Sequence, residues 1–241
     1  MTFLRSALYY LYLIIVSVVM HLCALPTLIL PRRAIVRVSQ SWSAALIWGL
    51  KVIAGLDYEV RGDIPQGGVL VAAKHMSMWD TIALYMLLDD TGFVVKRELL
   101  GIPFYGWYIG KAGVIAIDRS AGAKALRQMA AQARGVIAEE RPIVIFPEGT
   151  RKAPGAPADY KPGIAGLYTQ IGAPCVPVAL NSGQFWCGGF LKRPGRIVIE
   201  FLPVIPAGLK RAEFMRTLEE SIEGATAKLL AEGCKLLKEN S

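Results

Sequence analysis

The sequence predicts an α/β fold, a mostly parallel or mixed sheet flanked by helices, with an N-terminal membrane-associated helical segment in front. Short apolar runs rich in β-branched residues alternate with longer segments whose apolar residues recur at helical spacing. A long uncharged apolar stretch precedes these units, and hydrophobic residues make up 54% of the 241-residue chain. A chain of this length can bury one large core, so we expect one catalytic domain plus an appendage.

The hydrophobic pattern places each element of this domain. Residues 55–65 are interpreted as a turn-rich boundary, and buried strands are predicted at residues 68–73, 93–95, 114–117, 142–146, 176–180 and 197–202. Helices are predicted at residues 79–88, 126–137 and 214–229, with an aromatic-rich helix or turn at residues 102–109. Functional residues in such folds gather at strand ends, so we expect the site among the residues that follow the strands.

The N-terminal segment is long enough to anchor the chain in a membrane. Residues 7–30 carry no formal charge and exceed the ~20 residues that cross a hydrocarbon core. A second apolar stretch, residues 42–56, is interrupted only by Lys51, so one span or two helices lying in one leaflet both fit. A cleaved signal peptide fits less well, because its apolar region is ~7 to 15 residues. We predict membrane-anchoring helices at residues 1–56 and the catalytic domain at residues 57–241.

Charge is distributed unevenly along a chain whose formal net charge is +8. The charges before Asp57 are all positive, namely Arg5, Arg32, Arg33, Arg37 and Lys51. The arginines that follow the apolar segment outweigh Arg5 before it, which predicts a catalytic domain facing the cytoplasm at an inner or plasma membrane. This distribution suits anionic headgroups better than nucleic acid, which would require basic residues interleaved with aromatics on one face. Membrane lipids, and no nucleic acid, are therefore the predicted contacts.

Histidine and cysteine usage limits the possible chemistry. The four cysteines are scattered without a C-x-x-C pair, and there are two histidines, so neither a zinc site nor a disulfide framework is predicted. His21 lies inside the apolar segment, where a structural role is expected. His75 is left as the histidine available for acid–base chemistry.

His75 and Asp80 form an H-x-x-x-x-D arrangement between a predicted strand end and a helix start. The carboxylate can accept a proton from one imidazole nitrogen, which leaves the other nitrogen free to act as a base. Asp80 would also stabilise the imidazolium formed during a reaction. A helix-capping aspartate next to a structural histidine explains the same spacing, so this pair does not establish catalysis alone.

Two further groups of polar residues follow predicted strands. Lys96 and Arg97 come directly after the second strand, where cations suit a phosphate near an interface. The string Phe-Pro-Glu-Gly-Thr-Arg at residues 146–151 stops an apolar strand, and its Pro and Gly predict a turn that brings Glu148 and Arg151 into one cleft. A buried strand at residues 176–180 follows.

Taken in order, these motifs resemble the glycerolipid acyltransferase family, which includes bacterial lysophosphatidic acid acyltransferases. The resemblance covers roughly residues 60–185, and its most specific part is the string at residues 146–151. It implies that the motif histidine is the base, that the motif aspartate orients it, and that the second and third motifs bind the acceptor phosphate and glycerol. These roles fall on His75, Asp80, Lys96, Arg97, Glu148, Gly149, Thr150 and Arg151.

The resemblance also implies the reaction: acyl transfer from acyl-CoA or acyl-carrier protein to lysophosphatidic acid, with no metal or other cofactor. Glycerol 3-phosphate, another lysophospholipid and a lyso-ornithine lipid remain alternative acceptors. A hydrolase and a non-catalytic membrane lipid-binding protein are the rival classes. The chain departs from the family pattern at Lys74 and Met76, where many members have Asn and Gln, and at Lys152, where Ser is common.

Overall fold

The computed structural model describes residues 1–118, 122–186 and 188–239, and within them seven strands form one sheet. The strands are β1 (Leu56–Arg61), β2 (Leu70–Ala73), β3 (Gly92–Lys96), β4 (Ile115–Ile117), β5 (Ile143–Ile145), β6 (Cys175–Leu180) and β7 (Gly195–Phe201). Their spatial order is β1-β7-β6-β2-β5-β3-β4. Neighbouring strands are parallel except for β6 and β7, which are antiparallel. The sheet is therefore mixed, and the predicted fold class is confirmed.

Helices cover both faces of this sheet. They are α1 (Thr2–Ala24), α2 (Arg32–Gly49), α3 (Met78–Leu87), α4 (Tyr105–Ala112), α5 (Gly122–Ala138), α6 (Gly163–Ile171) and α7 (Arg211–Glu239). Helices α1, α2 and α3 contribute Tyr9, Leu46 and Trp79 to the core on one face. Helices α5, α6 and α7 contribute Met129, Leu167 and Phe214 to the core on the other. The result is a three-layer α/β/α arrangement.

Side-chain alternation along β2 decides what its carboxyl end presents to each face. Leu70 and Ala72 pack in the α5–α7 core, whereas Val71 and Ala73 pack in the α1–α3 core. Pairing continues one residue past the strand, because the Lys74 backbone N–H donates to the Val178 carbonyl at 2.9 Å. Lys74 therefore points toward α7, and the next residue, His75, points toward α1–α3.

Two elements depart from the sequence-based interpretation. The prediction of a turn-rich boundary at residues 55–65 is wrong for the first half of that range. Strand β1 lies there and pairs in parallel with β7. The period-two pattern that marks this edge strand is present, since apolar Leu56, Tyr58 and Val60 alternate with charged residues. Helix α6 was also not predicted, since two glycines within nine residues obscure its pattern.

Helix α1 is built into the fold along one side. Tyr9 is fully buried in the core, and the buried Lys192 ammonium donates to the Tyr10 hydroxyl at 2.9 Å. That ammonium also lies 4.8 Å from the Trp186 ring, in the segment that follows β6. Residues 1–56 consequently share a hydrophobic core with residues 57–241.

The opposite side of α1 is apolar and open. Its exposed large side chains include Leu4, Leu8, Leu11, Ile14, Ile15, Val18, Val19 and Leu22. The helical run Thr2–Leu28 is long and apolar enough to cross a membrane. Only 11% of its most apolar 18-residue window is buried inside the protein, so most of that window is exposed. An exposed apolar surface of this extent is typical of a protein that contacts lipid.

Candidate active site

The predicted base and its partner are in hydrogen-bonding contact. His75 Nδ1 lies 3.0 Å from Asp80 Oδ2, and the Asp80 side chain is fully buried. The imidazole ring also stacks on Phe146, with ring centroids 3.8 Å apart and planes 13° from parallel. Because Nδ1 is engaged and the ring is clamped, Nε2 is the nitrogen available to a substrate.

Asp80 has a second, structural role at the start of α3. Ser77 is the N-cap residue: its hydroxyl accepts from the Trp79 N–H at 3.1 Å, and its own N–H donates to Asp80 Oδ2 at 2.8 Å. The Met76 N–H donates to the same oxygen at 2.7 Å. One carboxylate therefore both contacts His75 and caps α3, so helix capping does not exclude the predicted orienting role of Asp80.

A cavity of about 1240 Å³ lies in front of His75. Most of its wall is apolar and comes from α1–α5, from β3 and from the turn after β3, including Ile35, Val38, Trp42, Ile82, Phe93, Val95, Leu99, Ile109, Leu126 and Met129. This volume exceeds the ~300–1,000 Å³ that is common for small-molecule pockets. The cavity can therefore hold a long hydrocarbon chain together with a polar headgroup.

Cations contribute to the wall of this cavity. Lys96 is the last residue of β3, Arg151 ends the turn after β5, and Lys161 precedes α6. Lys161 had no role in the sequence interpretation; it shares the Asp159 carboxylate with Lys152, at 2.7 and 3.1 Å. An anionic group bound near His75 would meet positive charge from three separate segments.

The turn at residues 146–151 is fixed against His75 by backbone contacts. Gly149 adopts a positive φ of 66°, which favours glycine, and its N–H donates to the Phe146 carbonyl at 2.9 Å. The Lys152 N–H donates to the His75 carbonyl, also at 2.9 Å. The turn thereby presents Gly149, Thr150 and Arg151 to the cavity.

Glu148 lies behind that turn rather than in the cavity. Its side chain is fully buried, and Oε1 accepts from the Lys74 ammonium at 2.8 Å. Lys74 also donates to Glu223 of α7 at 2.7 Å, and the Tyr160 hydroxyl donates to the same Glu223 oxygen at 2.9 Å. Burial is the main cause, and the neighbouring Glu223 carboxylate the next, of a Tyr160 pKa well above its usual range. The phenol therefore stays protonated and can donate.

The structure brings together most of the residues predicted for the site. His75, Lys96, Gly149, Thr150 and Arg151 line one cavity. The other three do not line it: Asp80 supports His75 from behind, Glu148 binds Lys74, and Arg97 is largely exposed, 3.9 Å from Asp118. Within the described residues, Cys23, Cys175 and Cys234 are free thiols, while Cys187 lies outside them.

Fold and site define a membrane-associated α/β enzyme with a histidine–aspartate pair beside a lipid-sized cavity. The chain belongs to the acyltransferase family, whose family model matches residues 57–181, from β1 through β6. The predicted family is thus confirmed.

Similar proteins support the same assignment. A 1-acyl-sn-glycerol-3-phosphate acyltransferase of Pseudomonas aeruginosa is 37% identical over 208 residues, which is 85% of this chain and 81% of that protein. The alpha form of 1-acyl-sn-glycerol-3-phosphate acyltransferase from Bos taurus is 32% identical over 168 residues, 67% of this chain and 58% of that protein. A crystal structure of the 1-acyl-sn-glycerophosphate (LPA) acyltransferase PlsC from Thermotoga maritima matches with a TM-score of 0.79. That match covers 95% of this chain and 98% of the other at 21% identity, and so it supports the fold alone.

Proposed function

We propose that this chain transfers a fatty acyl group from acyl-CoA or acyl-carrier protein to the sn-2 hydroxyl of 1-acyl-glycerol-3-phosphate, giving phosphatidic acid. The observation that carries the proposal is the position of His75: its free nitrogen borders an apolar, lipid-sized cavity that also receives three cations. An apolar chain, a hydroxyl and a phosphate in one acceptor match these three features. The Pseudomonas aeruginosa relative carries the name of this activity.

The reaction proceeds by direct attack. His75 Nε2 takes the proton from the acceptor hydroxyl while the oxygen forms a bond to the thioester carbonyl carbon. The tetrahedral intermediate then collapses, the C–S bond breaks, and the thiolate leaves and takes a proton from the imidazolium. A thiol with an ordinary pKa of about 8.5 is a good leaving group, so base, orientation and oxyanion stabilisation are sufficient. Asp80 stabilises the transient imidazolium through Nδ1.

The acceptor phosphate is assigned to the cationic part of the cavity wall. Lys96 and Arg151 carry the roles expected of the second and third motifs, and Lys161 adds a third cation on the same wall. Arg151 has a planar guanidinium that can bind two phosphate oxygens at once. Glu148 supports this region indirectly through Lys74.

Arg151→Ala is expected to raise the acceptor KM about 10- to 100-fold with a much smaller effect on kcat, because a charged phosphate contact is lost. Purified enzyme in detergent is assayed with labelled acyl-CoA and with acyl-carrier protein. Arg216→Ala, at an exposed arginine on α7, is the matched control and should leave both constants within about twofold. A fall in kcat at unchanged KM for Arg151→Ala would contradict the phosphate assignment.

A panel of acceptors tests the substrate itself. Lysophosphatidic acid is compared with glycerol 3-phosphate, a lysophosphatidylcholine and a lyso-ornithine lipid at equal concentration. Transfer to lysophosphatidic acid at the highest kcat/KM supports the proposal. Transfer to another acceptor alone overturns the substrate but keeps the chemistry, and acyl release without any acceptor identifies a hydrolase.

Helix α1 is assigned to one leaflet, with its buried side on the protein and its exposed side in lipid. This arrangement would bring His75 near the interface where a lysolipid resides, and the arginine excess supports a domain on the cytoplasmic side. Replacing the exposed Ile15, Val18 and Leu22 together with glutamine should lower the vesicle-bound fraction of the protein at least about tenfold. Co-flotation with vesicles of phosphatidylethanolamine and phosphatidylglycerol measures this fraction. Val204→Gln, at an apolar side chain exposed outside α1, is the control, and equal loss in both would refute this orientation.

A further inference from the structure

A buried serine hydroxyl contacts the Asp80 carboxylate from the segment that follows the neighbouring strand β6. Ser182 begins the short helical turn Ser182–Gln184, two residues after β6, and its side chain is fully buried. Its Oγ donates to Asp80 Oδ1 at 2.5 Å, across 102 positions of sequence. None of the four motifs includes it.

The two carboxylate oxygens of Asp80 have different partners. Oδ2 meets His75 Nδ1 and accepts two backbone N–H groups, from Met76 and Ser77. Oδ1 accepts the hydroxyls of Ser77, at 3.1 Å, and Ser182. The Ser77 hydroxyl has a single proton and also lies 2.9 Å from Ser182 Oγ, so it cannot serve both. Ser182 is accordingly the donor best placed to satisfy Oδ1.

The rest of the fold holds the Ser182 turn rigidly. Asn181 Nδ2 donates to the Leu229 carbonyl of α7 at 3.2 Å, while Asn181 Oδ1 accepts from the Val198 N–H at 2.8 Å. On the side facing the site, a Cβ at Gly183 would lie 2.9 Å from Met76 Cβ, so the turn packs directly against the segment that carries His75. Helix α7 and strand β7 thus place the Ser182 hydroxyl.

We propose that Ser182 is a positioning residue of the active site, which fixes the Asp80 carboxylate so that Oδ2 stays aligned with His75 Nδ1. The inference rests on the proposed function, because Ser182 acts on the reaction through Asp80 and His75. A carboxylate held at one oxygen by backbone N–H groups can still tilt about that contact. The Ser182 hydroxyl bond at the other oxygen removes this freedom, and it does so without touching the substrate cavity.

Ser182→Ala in the full-length enzyme is expected to lower kcat about 10- to 100-fold while both KM values stay within about twofold, because a hydrogen bond to a buried charge is lost. Ser182→Cys keeps the size of the side chain with a weaker donor and should fall between Ser182→Ala and the parent enzyme. Thr226→Val removes another buried hydroxyl, one without a hydrogen-bond partner among the described residues, and should leave kcat unchanged.

A double-mutant cycle separates positioning from general destabilisation. In an Asp80→Asn background, Ser182→Ala should cost less than about threefold, because its route to His75 is already broken. An equal fold-loss in both backgrounds would overturn the inference, as would a kcat for Ser182→Ala within twofold of the parent. Either result leaves the proposed function intact, whereas full activity in His75→Ala would overturn the proposed function and this inference together. All rates use the acceptor that the parent enzyme prefers.

Discussion

His75→Ala is expected to lower kcat for acyl transfer by about 10²- to 10⁴-fold, because it removes the proposed base, which lines the cavity and contacts the buried Asp80 carboxylate. Residual turnover should come from substrate positioning alone. The acceptor KM should change little, since the phosphate contacts are assigned to Lys96, Arg151 and Lys161. Initial rates with labelled donor measure the effect, and thermal unfolding in the same detergent confirms that the variant is folded.

Asp80→Asn extends the same prediction to the partner residue. The amide cannot stabilise an imidazolium and can hold the ring in the wrong tautomer, so kcat should fall up to about 10⁴-fold. The variant should also melt at lower temperature than His75→Ala, because Asp80 belongs to the capping box of α3. Activity within tenfold of the parent in either variant is incompatible with the base mechanism.

The parts of the site that sequence could predict are those built from local contacts. His75 and Asp80 are five residues apart across a strand–helix junction, so their spacing alone suggested a contact, and 3.0 Å separates them. The turn at residues 146–151 follows in the same way from Pro and Gly after an apolar strand. Each of these features is decided by a few neighbouring residues.

Contacts between distant segments could not be predicted in this way. Glu148 was expected to bind substrate because it sits in the most specific motif, yet its partner is Lys74, 74 positions earlier. Ser182 reaches Asp80 only because β2 and β6 are adjacent in the sheet, and the hydrophobic pattern does not reveal strand order. In the sequence, Lys74 is a departure from the family motif. Its role as the partner of Glu148 follows from the direction of its side chain, which only the structure gives.

Lys74→Met is expected to destabilise the protein by about 3–5 kcal/mol, because it leaves the buried Glu148 carboxylate without its cation. That loss corresponds to a melting temperature about 6–20 °C lower for a domain of this size. Activity should fall as well, since the bond between Lys74 and Glu148 ties the carboxyl end of β2 to the turn that carries Arg151. Thermal unfolding in detergent and initial rates measure the two effects.

Glu148→Gln in the Lys74→Met background tests whether Lys74 stabilises the protein by neutralising Glu148 or by packing. A neutral amide removes the unpaired buried charge, so the double variant should recover more than half of the lost melting temperature. Lys152→Met breaks a half-exposed ion pair with Asp159 and should shift the melting temperature by less than about 3 °C. If the double variant instead melts at the same temperature as Lys74→Met, the lysine stabilises the protein through packing and not by neutralising the Glu148 carboxylate. Recovery would show that this chain compensates the buried carboxylate of Glu148 with the lysine that precedes His75, a lysine that also contacts Glu223 of α7.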